Sequence, residues 1–148
     1  DPQLGENETY KYSSRIHNPM PKGGTQLERV IDTLKNTPLT NQAVVEVGSP
    51  EDHDVCIGND GNLDPPCLRL LDFKVIPSGD DLLLTVTAYF RSWDLWAGFP
   101  SNLGGLELLK QYVAGETGLK NGPMYAYSAG AHIYGYQEEL AKLRTLRK

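Results

Sequence analysis

Leu82-Leu83-Leu84-Thr85-Val86-Thr87-Ala88-Tyr89-Phe90-Arg91-Ser92-Trp93-Asp94-Leu95-Trp96-Ala97-Gly98-Phe99-Pro100-Ser101-Asn102 is the stretch on which the fold turns. Its first nine residues alternate Leu82, Leu84, Val86, Ala88 and Phe90 against a second face bearing Thr85 and Thr87, which predicts a strand. Beyond it Leu103, Leu106, Leu109, Tyr112 and Val113 recur at helical spacing, with Ser101 placed to cap the helix they form. Between strand and helix lie a cation, a hydroxyl, a carboxylate, a glycine and a carboxamide. Polar side chains on such a junction stand on a rigid frame beside unpaired backbone amides, a setting suited to anions. The plainer alternative pairs Arg91 with Asp94 across a solvated turn, an ion pair worth little. Local chemistry leaves both open.

Upstream, Cys67 to Ile76 is a second apolar strand, joined to the first by Pro77-Ser78-Gly79-Asp80-Asp81, whose turn chemistry fits a hairpin. Before it runs a long irregular segment, Gly48 to Pro66, of the kind that is often functional inside a compact domain. Gln42 to Val47 reads as a short strand. Thr25-Gln26-Leu27-Glu28 is a capping box opening a helix through Val30, Ile31 and Leu34 to about Asn36, stopped by Pro38. Asn18 to Gly24 reads as a loop, and Asp1 to Thr9 shows no periodicity. Downstream, Gly115 to Gly122 reads as a loop, Pro123 to Ser128 as a strand, and Gln137 to Arg147 as a helix. That last helix is acidic early and basic late, in keeping with its dipole. The expected class is α/β, a largely buried mixed sheet flanked by helices, in a single domain over residues 1–148.

Composition narrows the function. With 39% hydrophobic and 22% charged residues over 148 positions, the chain can bury a core. A net charge of -5 argues against a surface for a nucleic-acid polymer, though not against a small site for one nucleotide. No apolar run approaches the roughly 20 residues that cross a bilayer, and Asp1 to Glu8 is unlike a signal peptide. Two cysteines, Cys56 and Cys67, do not make a disulfide scaffold, so a cytoplasmic protein is expected; a bridge between them stays compatible with the sequence.

Arg91-Ser92, Asp94, Gly98, Pro100 and Asn102 match, with every spacing kept, the pattern Arg-Ser-x-Asp-x-x-x-Gly-x-Pro-x-Asn. Pro65-Pro66-Cys67 precedes it and Ala131-His132-Ile133-Tyr134 follows. Through these three motifs the chain resembles the thymidylate synthase family from about Tyr10 onward. Phe90-Arg91-Ser92-Trp93-Asp94-Leu95-Trp96 and Glu139-Leu140-Ala141-Lys142-Leu143-Arg144-Thr145 are most similar to its archaeal branch. The resemblance implies reductive methylation of dUMP to dTMP, with 5,10-methylenetetrahydrofolate or a methanopterin analogue as cosubstrate and no metal, in a homodimer. Cys67 matches the nucleophile, whose thiolate adds to C6 of the pyrimidine and is favoured by nearby positive charge. Arg91 and Ser92 match phosphate ligands, and Asp94 matches a residue facing pyrimidine and pterin. Asn102 matches the reader of the base, since a carboxamide can donate to a carbonyl and accept from N3–H. His132 and Tyr134 match the pair that binds the deoxyribose hydroxyl.

The sequence also departs from the family. Leu68 stands where a histidine usually follows the cysteine. Asn41 and Gln42 fall where paired arginines reach a partner's phosphate. Tyr12, in Tyr10-Lys11-Tyr12-Ser13-Ser14-Arg15, matches an active-site tyrosine, but Ser13 replaces a glycine. Family members also carry an N-terminal portion, with a phosphate-gripping arginine and a proton-organising glutamate, that has no counterpart here. The residues therefore admit a nucleotide-binding or dimerising chain that does not catalyse, a dCMP hydroxymethylase relative, or an inert buried Cys67 and a structural His132. From another class, His53, Cys56, Cys67 and His132 admit a weak zinc reading.

Overall fold

A computed structural model describes residues 11–52 and 65–145. The chain is mixed α/β. Its centre is a four-stranded sheet of β1 (Val44–Glu46), β2 (Leu68–Ser78), β3 (Asp81–Phe90) and a strand β5 (Lys120–Ser128), hydrogen-bonded in that order. The first three run antiparallel and β5 joins β3 in parallel. A parallel neighbour needs a crossover. Here that connection contains β4 (Trp93–Asp94) and the long helix α3 (Gly98–Thr117). Two short helices precede the sheet, α1 (Tyr12–Ile16) and α2 (Gln26–Asn36). A two-residue strand β6 (Ala131–His132) and helix α4 (Gly135–Arg144) follow it.

The expected alternation along β3 is observed. Leu84, Val86, Ala88 and Phe90 are fully buried against Leu71, Phe73 and Val75 of β2 and against α2 and α3. Leu82, at the hairpin end, is 37% exposed instead. Thr85 is buried, because its hydroxyl donates to the Lys74 carbonyl at 3.2 Å and so satisfies its polar atom. The hairpin closes through Gly79 and Asp80 alone, with Gly79 at φ +61°, where glycine pays no Cβ strain. In α2 the capping box forms as expected: Thr25 Oγ1 accepts the Glu28 amide at 3.3 Å, and Glu28 Oε2 accepts the Thr25 amide at 2.7 Å.

Several expected boundaries move. Helix α3 begins at Gly98 rather than after Ser101, because the Asp94 carboxylate takes the amides of Trp96, Ala97 and Gly98 at 3.0, 3.2 and 3.2 Å. Pro100 then falls in the first turn, where a missing N–H costs nothing. Ser101 is helical and donates back to the Ala97 carbonyl at 2.9 Å. The helix runs on to Thr117, capped by Gly118 at φ +72°, so the expected loop from Gly115 shrinks and β5 opens at Lys120 instead of Pro123. Tyr112, expected on the buried face, is 54% exposed; Lys110 holds a core position instead, its amine donating to the Gly122 carbonyl and pairing with Glu107. The strand expected over Gln42 to Val47 is confined to Val44–Glu46, and the C-terminal helix starts at Gly135. Tyr12 to Ile16 forms an unexpected helical turn.

One irregularity shapes the site. The β2–β3 register shifts between Leu68 and Leu70, so Arg69 is an extra residue in the ladder. A bulge turns its residue out of the regular alternation. Both Val47 and Gly48 donate their amides to the Arg69 carbonyl at 2.9 Å.

Candidate active site

The three sequence motifs meet at the end of β3. The Arg91 amide donates to the Cys67 carbonyl at 2.8 Å, and Arg91 Nη2 donates to the Pro65 carbonyl at 2.6 Å. The guanidinium therefore lies over the Pro65-Pro66-Cys67 turn, and Cys67 itself is half-buried. A cation held there by the backbone is a fixed positive charge on the turn that carries the thiol. Arg69 also reaches the turn: its guanidinium pairs with Asp52 at 3.0 Å and donates to the Pro66 carbonyl at 3.4 Å.

The third motif joins through β4 and β6, which pair in parallel with Asp94 opposite His132. The Trp93 amide donates to the Gly130 carbonyl at 3.0 Å and the Leu95 amide to the His132 carbonyl at 2.9 Å. This short ladder sets His132 Nδ1 at 3.0 Å from Ser92 Oγ. The ring of Tyr134 meets His132 edge-on at 4.9 Å and stacks on Tyr136 at 5.6 Å. Arg91, Ser92, His132 and Tyr134 thus form one polar run beginning at the cysteine turn. The Asp94 carboxylate accepts the amides of Trp96, Ala97 and Gly98 where the chain enters α3. Asn102, one turn into α3, accepts from Trp93 Nε1 at 2.9 Å.

A cavity of about 290 Å³ opens between α1, α3 and the sheet, with mostly apolar walls that include Tyr12, Ile16, Leu68, Phe90, Asn102 and Leu106. Of the expected residues it takes in Asn102 and Tyr12, not the polar run. Tyr12 is brought close to the cysteine turn, its hydroxyl accepting the Leu68 amide at 3.3 Å. Asn41 and Gln42 are exposed ahead of β1.

Behind the turn, Asp52 is the hub of a network the sequence did not reveal. It is 5% exposed and bonded to Arg15 at 2.8 Å, Arg69 at 3.0 Å and the Ser49 amide at 2.8 Å. Burial pushes its carboxyl up, but the Ser49 amide, the Arg15 hydrogen bond and the charges of both arginines outweigh that and hold it below the usual range. Arg69 lies flat on Gly48, where an added Cβ would come within 2.3 Å of the guanidinium carbon. No spacing rule links Arg15, Asp52 and Arg69. The same holds for Trp93 and Gly130, whose partners lie on other elements.

His53 and Cys56, two members of the zinc reading, lie outside the described residues. Among the described residues no three His, Cys, Asp or Glu side chains group as metal ligands, and no helix is long and apolar enough to cross a membrane.

The family model described as thymidylate synthase matches residues 3–148. A thymidylate synthase of Varicella-zoster virus is 32% identical over 137 residues, covering 93% of this chain and 42% of that protein. A provisionally named thymidylate synthase of Methanosarcina barkeri is 32% identical over 133 residues, covering 90% and 56%. A thymidylate synthase of Mycoplasma pneumoniae is 34% identical over 126 residues, covering 85% of this chain and 40% of that protein. Viral, archaeal and bacterial relatives stand at similar identity, so these matches do not single out the archaeal branch. The chain spans about half the length of the relatives it matches. With nearly all its residues covered by one family model, and the three motifs gathered at one end of the sheet, the chain belongs to the thymidylate synthase family.

Proposed function

We propose that this chain carries the nucleophile and nucleotide side of a thymidylate synthase, a methyltransferase converting dUMP to dTMP. The observation that carries the reading is the Arg91 guanidinium held over the Pro65-Pro66-Cys67 turn while Ser92, on the next residue, bonds His132. Arg91 and Ser92 would grip the phosphate, and His132 with Tyr134 the deoxyribose hydroxyl. Cys67 Sγ would add to C6 of the pyrimidine, moving the ring's electron pair to C5, which becomes the nucleophile. The reduced pterin, methylenetetrahydrofolate or a methanopterin analogue, supplies the one-carbon unit and the hydride. Loss of the C5 proton and departure of Cys67 then restore the ring. The apolar cavity beside Asn102 suits a flat ring. Asp94, by fixing the first turn of α3, would act through the placement of Asn102.

Incubation with 5-fluoro-dUMP and methylenetetrahydrofolate, followed by intact-mass measurement, tests this on the chain and on its longest natural form. A covalent adduct lost in Cys67→Ser is expected. No adduct in either form, or one that survives Cys67→Ser, overturns the assignment. A second reading, a chain that holds nucleotide but does not turn it over alone, is favoured by the uncharged Asn41 and Gln42. A homodimer, cytoplasmic residence and the absence of a metal cofactor belong to the proposal as well. The sheet face carrying Ile76, Tyr125 and Tyr127, 40%, 54% and 59% exposed, supports the dimer. Light scattering showing only monomer at micromolar concentration would refute that part.

A further inference from the structure

Trp93 occupies a position that the Arg-Ser-x-Asp pattern leaves open, and nothing in the reaction above uses it. It is nonetheless tightly held. The side chain is 4% exposed, its ring stacks on Phe90 at 4.0 Å with the planes 10° apart, and Phe99 meets it at 4.8 Å. Its amide is tied to Gly130. From this fixed seat Nε1–H donates to Asn102 Oδ1 at 2.9 Å.

An indole N–H is a donor and nothing else, so the atom facing it must be the carboxamide oxygen. The amide nitrogen of Asn102 is thereby turned to the opposite side. Rotating the carboxamide by half a turn would set its NH2 against the indole N–H, donor against donor, and leave a buried donor unsatisfied. Gly98 lies alongside, where an added Cβ would come 3.6 Å from Oδ1 and 3.7 Å from the indole Cδ1.

We infer that Trp93 is a positioning residue for choice of pyrimidine: by pinning Asn102 Oδ1 it presents Nδ2 to the base as a donor and selects a 4-carbonyl pyrimidine over a 4-amino one. This rests on the reading of Asn102 as the group that meets the base. Uracil offers O4 as an acceptor beside an N3–H donor. Nδ2 donates to O4, and the second lone pair of Oδ1 takes N3–H. Cytosine offers an amino donor beside a bare N3, and needs the carboxamide the other way round. A freely turning asparagine would match either edge by flipping, so a carboxamide alone is a poor discriminator. The indole N–H makes it a directional one.

The test compares Kd for dUMP and dCMP, by NMR-detected titration, in the wild type, in Trp93→Phe, and with Trp93 replaced by the benzothienyl amino acid in which sulfur stands for the indole N–H. The sulfur analogue keeps the ring's shape, so it decides the matter where Trp93→Phe does not fold. The wild type should prefer dUMP, and the ratio Kd(dCMP)/Kd(dUMP) should fall about tenfold in the variants with dUMP affinity little changed. A purely structural role would weaken both nucleotides alike. An unchanged ratio in a variant that binds dUMP overturns the inference, as does a wild type indifferent to the two bases. Both outcomes leave the Cys67 adduct intact. A wild type that forms no adduct and binds neither nucleotide sinks the proposed reaction and this inference together.

Discussion

Replacing Asp52 by asparagine should be among the most costly single changes in the described part of this chain. The carboxylate is 5% exposed and accepts from two guanidinium groups, at 2.8 Å from Arg15 and 3.0 Å from Arg69, and from the Ser49 amide at 2.8 Å. A carboxamide keeps the shape but loses the charge, and sets an NH2 donor against one of three donors. Removing one partner of a buried ion pair costs roughly 3–5 kcal/mol. Arg15 and Arg69 remain 29% and 21% exposed, so water can partly solvate them, which points to the lower end. For a chain of this size about 3 kcal/mol corresponds to a Tm lowered by roughly 6–12 °C. The pH dependence carries a sign. The folded carboxyl titrates below its unfolded value, so its contribution is complete above the unfolded pKa of about 3.9 and is lost as pH falls through the folded one. Urea unfolding of wild type and Asp52→Asn should therefore show a constant gap at neutral pH that closes in acid. Because Arg69 also holds the Pro66 carbonyl, the variant should alkylate faster at Cys67. A gap below about 1 kcal/mol at pH 7 would refute the argument and mean that water replaces the network.

Gly48→Ala should displace the Arg69 guanidinium that rests on the glycine, and its cost should be strongly non-additive with Asp52→Asn in a double-mutant cycle, since both break one contact. Lys110→Met fills the same volume but strands the Gly122 carbonyl, and should cost about 2 kcal/mol by urea unfolding. In the wild type the Asn121 and Gln111 hydrogen bonds, with Lys110, hold the Glu107 carboxyl at about 2, so part of the stability present at neutral pH should disappear between about pH 4.3 and pH 2. Asn41→Arg with Gln42→Arg should tighten dUMP binding in calorimetry, with the gain weakening as salt rises; micromolar binding by the unmodified chain would point instead to an unrecognised phosphate site.

Much of this protein is written in local pattern. The alternation from Leu84 to Phe90, the capping box at Thr25, the Gly79-Asp80 turn and the helical spacing through Leu106 and Val113 are contacts between near neighbours, and short-range sterics and amphipathicity express them directly. Family membership was legible for a related reason, since three motifs at fixed internal spacing survive in the chain as strings. The bulge at Arg69 was not legible, because an extra residue in a ladder is defined by its partner strand. Helix α3 starts at Gly98 because a carboxylate four residues upstream takes its first amide, a geometry that outranked the better N-cap residue at Ser101. Lys110 entered the core because a carbonyl on β5 and the Glu107 carboxylate await its amine. The pairings that shape the site, Ser92 with His132, Trp93 with Asn102, and Arg15 and Arg69 with Asp52, join residues that belong to different structural elements. Sequence determined which groups were available; chain crossing, which brings β6 beside β4 and α1 beside the cysteine turn, decided which of them meet.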